Sequence, residues 1–224
     1  MTEAPAPAAP SQPVHEAHAH DAVGHPPGSH AAHRFENAEA WAAHFEAPSR
    51  DAWQKPDVVL EALELTRAAV VADVGSGTGY FAVRIARRVP EGRVWAVDIE
   101  PDMIRYVNLR ARREGHKNLF SILAPPDDPL VPELVDRMLL VNTYHHLADR
   151  PGWFRRAARY MKPDGYLVVV EFKMGKLPVG PPDEAKVPPE LVDRELAEAG
   201  WALRSADAGR LPHQWVRAYT PPRR

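Results

Sequence analysis

The chain has 224 residues, 45% apolar and 26% charged, with a net charge of −2, which fits one globular domain with room for an appendage. Its apolar runs, such as Val168–Val170, fall far short of the roughly 18 residues of a membrane span, and the near-neutral charge argues against a protein that coats nucleic acid or anionic membranes. Cysteine is absent, which excludes disulfide scaffolds, thiolate metal sites and cysteine nucleophiles. No basic segment followed by an apolar one opens the chain, so a cytoplasmic location is expected.

Residues 1–33 hold six prolines and six of the eleven histidines, with no Lys, Arg or aromatic residue. Such a segment buries too little apolar surface to offset the entropy of ordering, and it is expected to be a disordered tail. His15, His18 and His20 could chelate a metal, but a solvated tail is the simpler reading and no metal site is assigned. Residues 34–220 are expected to form the folded domain, with 34–66 as a helical cap and 221–224 frayed.

Phe35, Ala38, Ala42 and Phe45 recur at helical spacing, and Pro48 is expected to end that helix. Asp57–Leu65 reads as a second helix opened by Pro56. Strands and helices then alternate: strand Val70–Val74, helix Phe81–Val89, strand Val94–Val97, and helix Met103–Arg113 stopped by Gly115. Strands Leu119–Leu123 and Met138–Val141 follow, then helix Pro151–Met161. The turn Lys162–Gly165 leads into strand Tyr166–Phe172, and helix Glu190–Ala199 comes next. Trp201–Ser205 and Gln214–Tyr219 read as a final antiparallel pair. Alternating βα units with all-apolar strands predict an α/β fold, a doubly wound, mostly parallel sheet with helices on both faces.

The sharpest motif is Val71–Tyr80, VADVGSGTGY, between the first strand and the next helix. Glycines there allow a tight turn and close approach to a ligand at the carboxyl ends of the strands. A dinucleotide fingerprint needs G-x-G-x-x-G, and here Gly79 falls one residue early; no Lys-Ser/Thr follows for a phosphate loop. Asp98 closes the second strand, where a carboxylate can accept from both ribose hydroxyls. Ile99 and Met103 are candidates to pack against a purine.

VADVGSGTGYFAVRIARRV, VWAVDIEPDMI, DRMLLVNTYHHL and YMKPDGYLVVVEF together resemble the class I S-adenosylmethionine-dependent methyltransferases over roughly residues 56–220. The resemblance implies a Rossmann-like seven-stranded sheet with an antiparallel last strand, and S-adenosylmethionine as cofactor. It places Gly75, Ser76, Gly77 and Gly79 at the cofactor's amino-acid end, Asp73 holding it, and Asp98 on the ribose. The acidic residue often found after the third strand falls on Pro125 here, and Asp127 or Asp128 would substitute. Asn142, at the end of the fourth strand, would lie beside the cofactor. Tyr144, His145 and His146 would face the acceptor.

Methyl transfer from a sulfonium depends chiefly on alignment of the nucleophile. A protonated acceptor also needs a base, and a histidine suits a hydroxyl or phenol. His145 or His146 is the candidate base. Glu171 is expected to look toward the pocket, Lys173–Pro189 to form a lid, and His213 to be structural. The function expected is methyl transfer to a small or apolar acceptor through oxygen or nitrogen, with no nucleic-acid partner. The alternatives are a non-catalytic S-adenosylmethionine- or nucleotide-binding regulator and an NAD-dependent oxidoreductase.

Overall fold

The computed structural model of the protein describes residues 37–223. The expected tail, with His15, His18 and His20, lies outside the described residues, as does Phe35. Three helices precede the first strand: α1 (Ala38–Phe45), α2 (Pro48–Gln54) and α3 (Pro56–Ala62). Pro48 opens α2 and does not merely end α1, because a first-turn residue has no intrahelical N–H bond to lose. The sequence reading has no α2, and it runs α3 three residues too far.

The alternating core follows as β1 (Val70–Val74), α4 (Tyr80–Arg88), β2 (Arg93–Asp98), α5 (Pro101–Glu114), β3 (Leu119–Leu123), β4 (Val135–Val141), α6 (Arg150–Ala157), β5 (Met161–Phe172), α7 (Pro189–Glu198), β6 (Ala202–Asp207) and β7 (Gln214–Thr220). Gly115 ends α5 in the left-handed region (φ +75°), as expected of a glycine just past a helix.

All seven strands join one sheet in the order β3-β2-β1-β4-β5-β7-β6. Strands β3, β2, β1, β4 and β5 run parallel, and β7 pairs antiparallel with both β5 and β6. This is the doubly wound sheet expected. One local expectation is corrected. Met161 does not end a helix: it pairs with Val135, while Tyr166 pairs with Arg137. The anticipated turn Lys162–Gly165 is therefore a bulge inside β5, opposite the single residue Asp136. Asp136 anchors it by accepting from Lys162 Nζ (2.8 Å) and from the Val70 amide (2.8 Å).

Side chains alternate between two cores. Val71, Val94, Leu139, Val168 and Val216 meet α3, α4 and α5 on one face. Ala72, Val97, Leu140, Val169 and Trp215 meet α6 and α7 on the other. Burial on both faces explains the unbroken apolar strands, and each buried valine or leucine contributes on the order of 1.5–3 kcal/mol. The parallel strands end together at one edge, where β1 leads into the glycine loop and β4 into Asn142.

Candidate active site

Three turns of backbone build the loop after β1. Gly75 (φ +69°), Gly77 (φ +52°) and Gly79 (φ +85°) all adopt left-handed geometry, which costs a residue with a Cβ roughly 1–2 kcal/mol. The amides of Gly75 and Ser76 both donate to the Val97 carbonyl (2.8 and 3.0 Å). Asp98 Oδ2 accepts from the Gly77 amide (2.8 Å) and Oδ1 from the Glu100 amide (3.0 Å). The glycine loop and the acidic end of β2 are thus one hydrogen-bonded unit.

Asp73 leaves β1 toward the α4 side and is buried. Burial, followed by the nearby Asp98 charge, pushes its carboxyl up to about 7, while the Ala82 amide and the Arg50 guanidinium pull the other way. Burial also raises Asp98. Asp73 Oδ2 and Ser76 Oγ are buried without a hydrogen-bond partner, which in a finished interior would be costly.

Ile99 is 45% exposed beside this unit, whereas Met103 is 1% exposed and packs in the interior, so the two candidates for a purine face separate. Asp127 is exposed, and its carbonyl accepts from Arg156 Nε (2.6 Å). Its neighbour Asp128 is structural: it accepts from the Leu130 amide (3.0 Å), Tyr160 Oη (2.7 Å) and Arg159 (2.9 Å).

The end of β4 lies against the glycine loop. A Cβ on Gly75 would stand 2.3 Å from Thr143 Oγ1, so the glycine is required by its neighbour as well as by its φ. Asn142 is itself left-handed (φ +55°); asparagine tolerates this better than most residues. Its amide N–H donates to the Val170 carbonyl (2.9 Å).

The three residues expected to face the acceptor divide. His145 Nδ1 lies 3.0 and 3.1 Å from the two oxygens of the buried Glu171 carboxylate. A carboxylate only accepts, so Nδ1 carries a proton, and in the neutral ring the lone pair is then on Nε2. His146 is exposed, its ring 4.1 Å from that of His145. Tyr144 turns away: it is fully buried, stacks on Phe154 (5.4 Å) and donates to Glu195 Oε2 (2.5 Å). The expectation that it faces the acceptor does not match this placement, because its ring completes the α6–α7 core.

The segment after β5 is braced from within. Gly175 N donates to Asp183 Oδ1 (2.7 Å), and Lys186 Nζ donates to the Gly175 carbonyl and to Asp183 Oδ1. His213 is partly buried, and its carbonyl accepts from the Lys173 amide (2.9 Å).

The N-terminal helices supply further residues, of which the sequence reading names only aromatic ones. The Phe45 ring lies over Gly77, 3.6 Å from where a Cβ would stand, and stacks on Trp41 (5.3 Å). Glu46 accepts from Thr78 Oγ1 (2.6 Å) and from Arg110. Asp51 accepts from Tyr80 Oη and from Arg84. Arg50 lies over the Tyr80 ring at 3.9 Å and donates to Gln54 and to the Phe45 carbonyl. Gln54, Gln214 and Asn142 then form a chain of amides. Nothing local flags Arg50, Gln54 or Gln214; the bonds that join Gln54 to Gln214 and Gln214 to Asn142 span 160 and 72 residues. The available signal was the amphipathic spacing of the segment and the proline that opens it.

Residues 72–169 match the family described as a methyltransferase domain. The chain is 33% identical over 119 residues to the demethylmenaquinone methyltransferase of Tropheryma whipplei, covering 53% of this chain and 48% of that one. It is 29% identical over 129 residues to a ubiquinone/menaquinone biosynthesis C-methyltransferase of Bordetella parapertussis, covering 55% and 50%. The chain thus spans about half the length of the curated relatives it matches. The fold is similar to the crystal structure of a SAM-dependent methyltransferase from Aquifex aeolicus, with a TM-score of 0.76 at 23% identity, covering 81% of this chain and 97% of that one.

Proposed function

Because this chain belongs to the class I S-adenosylmethionine-dependent methyltransferases, we propose that it moves a methyl group from S-adenosylmethionine to the oxygen of a small or apolar acceptor. Nitrogen is the next choice of atom.

The crevice suits the zwitterionic end of that cofactor. Asp73 Oδ2 and Ser76 Oγ are buried donor-seeking and donor-bearing groups without partners. Arg50 reaches only neutral oxygens, with no carboxylate at ion-pair distance among the described residues. A buried carboxylate and a partly buried guanidinium complement an ammonium and a carboxylate carried on one carbon. Asp98 accepts from the backbone amides around it, and a carboxylate with about four lone-pair sites has capacity left for a ribose hydroxyl. Ile99 offers exposed apolar surface for one face of the adenine.

When bound, S-adenosylmethionine supplies a methyl carbon made electrophilic by its sulfonium, and the carbon–sulfur electron pair returns to sulfur as the acceptor's lone pair forms the new bond. His145 takes the acceptor's hydroxyl proton at Nε2. Glu171 accepts from Nδ1 before and after that transfer, fixing the tautomer and balancing the imidazolium charge. Such a base contributes about 10²–10⁴-fold. The relative named a C-methyltransferase is compatible with the same dyad, since removing a phenol or enol proton also charges the conjugated carbon.

The His145–Glu171 pair, its histidine two residues beyond the Thr143–Gly75 contact, carries this reading. The test uses purified full-length protein with methyl-labelled S-adenosylmethionine and a cell extract, followed by identification of the labelled product. His145→Gln is expected to lower kcat at least 100-fold while leaving S-adenosylhomocysteine affinity unchanged by calorimetry. A fall of less than tenfold removes His145 as base, and failure of the wild type to bind S-adenosylhomocysteine removes the whole reading.

A further inference from the structure

Four side chains connect α2 to the end of β4, and their chemistry allows only one orientation. Arg50 has donors and no acceptor. Its Nε and an Nη both point at Gln54 Oε1 (3.3 and 3.2 Å), so that atom is the amide oxygen. Gln54 Nε2 must then donate to Gln214 Oε1. Gln214 Nε2 must in turn donate to Asn142 Oδ1 (2.6 Å). Gln54 and Gln214 are fully buried, so no solvent competes for either amide. The Asn142 oxygen is consumed, and the Asn142 Nδ2 group, with two N–H bonds, has no partner among the described residues. Asn142 is only partly buried, and it sits beside the Thr143–Gly75 contact where the loop and the end of β4 meet.

We propose that this relay fixes Asn142 as a hydrogen-bond donor facing the crevice, so that the site selects acceptors whose nucleophilic atom presents an oxygen lone pair, such as the hydroxyl oxygen of a phenol or enol. An amine that must give up an N–H bond to its receptor meets the wrong end of the amide. This rests on the methyltransferase reading above and narrows its acceptor class. Asn142 touches the ligand; Gln54 and Gln214 are positioning residues that act through it, and Arg50, proposed above to meet the cofactor's carboxylate, also anchors the far end of the relay. Buried chains of this kind hold their direction because reversal would leave a donor facing a donor at the guanidinium, an arrangement that costs far more than one lost bond.

Gln214→Glu tests the direction with an isosteric change. The new carboxylate still accepts from Gln54 but cannot donate to Asn142, so the Asn142 amide is expected to turn over and present its oxygen. The probes are 4-nitrophenolate and 4-nitroaniline, matched in shape, titrated by calorimetry in the presence of S-adenosylhomocysteine at pH 8.5. The wild type is expected to bind 4-nitrophenolate at least tenfold tighter than 4-nitroaniline, and Gln214→Glu to lose or invert that preference. The wild-type Asn142 side-chain amide, followed by ¹⁵N NMR, is expected to shift with 4-nitrophenolate and not with 4-nitroaniline. This second readout stands even if the variant does not fold. Equal binding of both probes by the wild type, an unmoved Asn142 amide, or a preference unchanged by Gln214→Glu each overturns the proposal. His145→Gln separates the two readings: it is expected to keep the phenolate preference while losing turnover.

Discussion

The glycine loop and the end of β4 touch at Gly75 and Thr143, yet they are built by opposite means. The loop is a backbone device. Its shape comes from three left-handed glycines and from amides that bond Val97 and Asp98 within 25 residues of one another. The end of β4 is a side-chain device, assembled from α2, β4, β5 and β7. A backbone device is written in consecutive residues, and its meaning survives in any chain that keeps them. A side-chain device depends on the register of remote elements, and one exchanged amide can redirect it.

The largest effect that separates the two comes from the contact itself. Gly75→Ala combines φ +69° with a Cβ 2.3 Å from Thr143 Oγ1, whereas Gly115→Ala carries φ +75° with nothing within 4 Å. Gly115→Ala is expected to cost about 1 kcal/mol by chemical denaturation. Gly75→Ala is expected to cost more than twice that and to weaken S-adenosylhomocysteine binding at least 100-fold. Equal costs at the two positions would mean that Thr143 yields freely and that the contact does not couple the two devices.

Next comes the relay. Gln54→Leu leaves the Gln214 oxygen buried and unsatisfied, and should cost about 1–3 kcal/mol with little change in S-adenosylhomocysteine affinity. A loss of that affinity equal to the loss of stability would merge the two devices into one.

The carboxylate of the loop gives a smaller effect that depends on pH. Asp73 sits at about 7 in the folded protein against an ordinary 3.8. The folded state therefore holds a proton that the unfolded state has released across that window. Stability from this group falls as pH rises from about 4 to about 7 and is level above. Asp73→Asn should flatten that slope in a series of urea midpoints. A cofactor ammonium favours the ionised form, so binding at pH 6 should release about one proton, read by calorimetry in buffers of different ionisation heat. Asp73→Asn should release none.

The smallest contrast lies after β3. Asp127→Ala, at an exposed side chain, should change S-adenosylhomocysteine affinity less than threefold, whereas Asp128→Ala should lower stability by about 1–2 kcal/mol through its three lost partners.

This division also explains what could be read from the sequence. β1 and β3 were legible to the residue, because apolar runs between turn residues define a buried strand. The glycine loop and Asp98 were legible because φ and spacing are local. The bulge in β5 was not, since Lys162-Pro163-Asp164-Gly165 reads as a turn unless the pairing of Met161 with Val135 is known. Tyr144 could be placed after β4 but not oriented: the short helical turn over Tyr144–His146 sends it into the α6–α7 core and leaves His145 to meet Glu171. α2 was hidden behind Pro48, which serves a helix start as readily as a stop.

Gln54, Glu171 and Gln214 all lie outside residues 72–169, the stretch that matches the family. The side chains proposed to orient Asn142 and His145 thus lie outside the segment that carries Asn142 and His145 themselves. A graft that carries only the recognisable segment would keep Asn142 and leave behind what aims it; exchanging positions 54 and 214 together is the minimal transplant for moving acceptor choice between relatives of this fold.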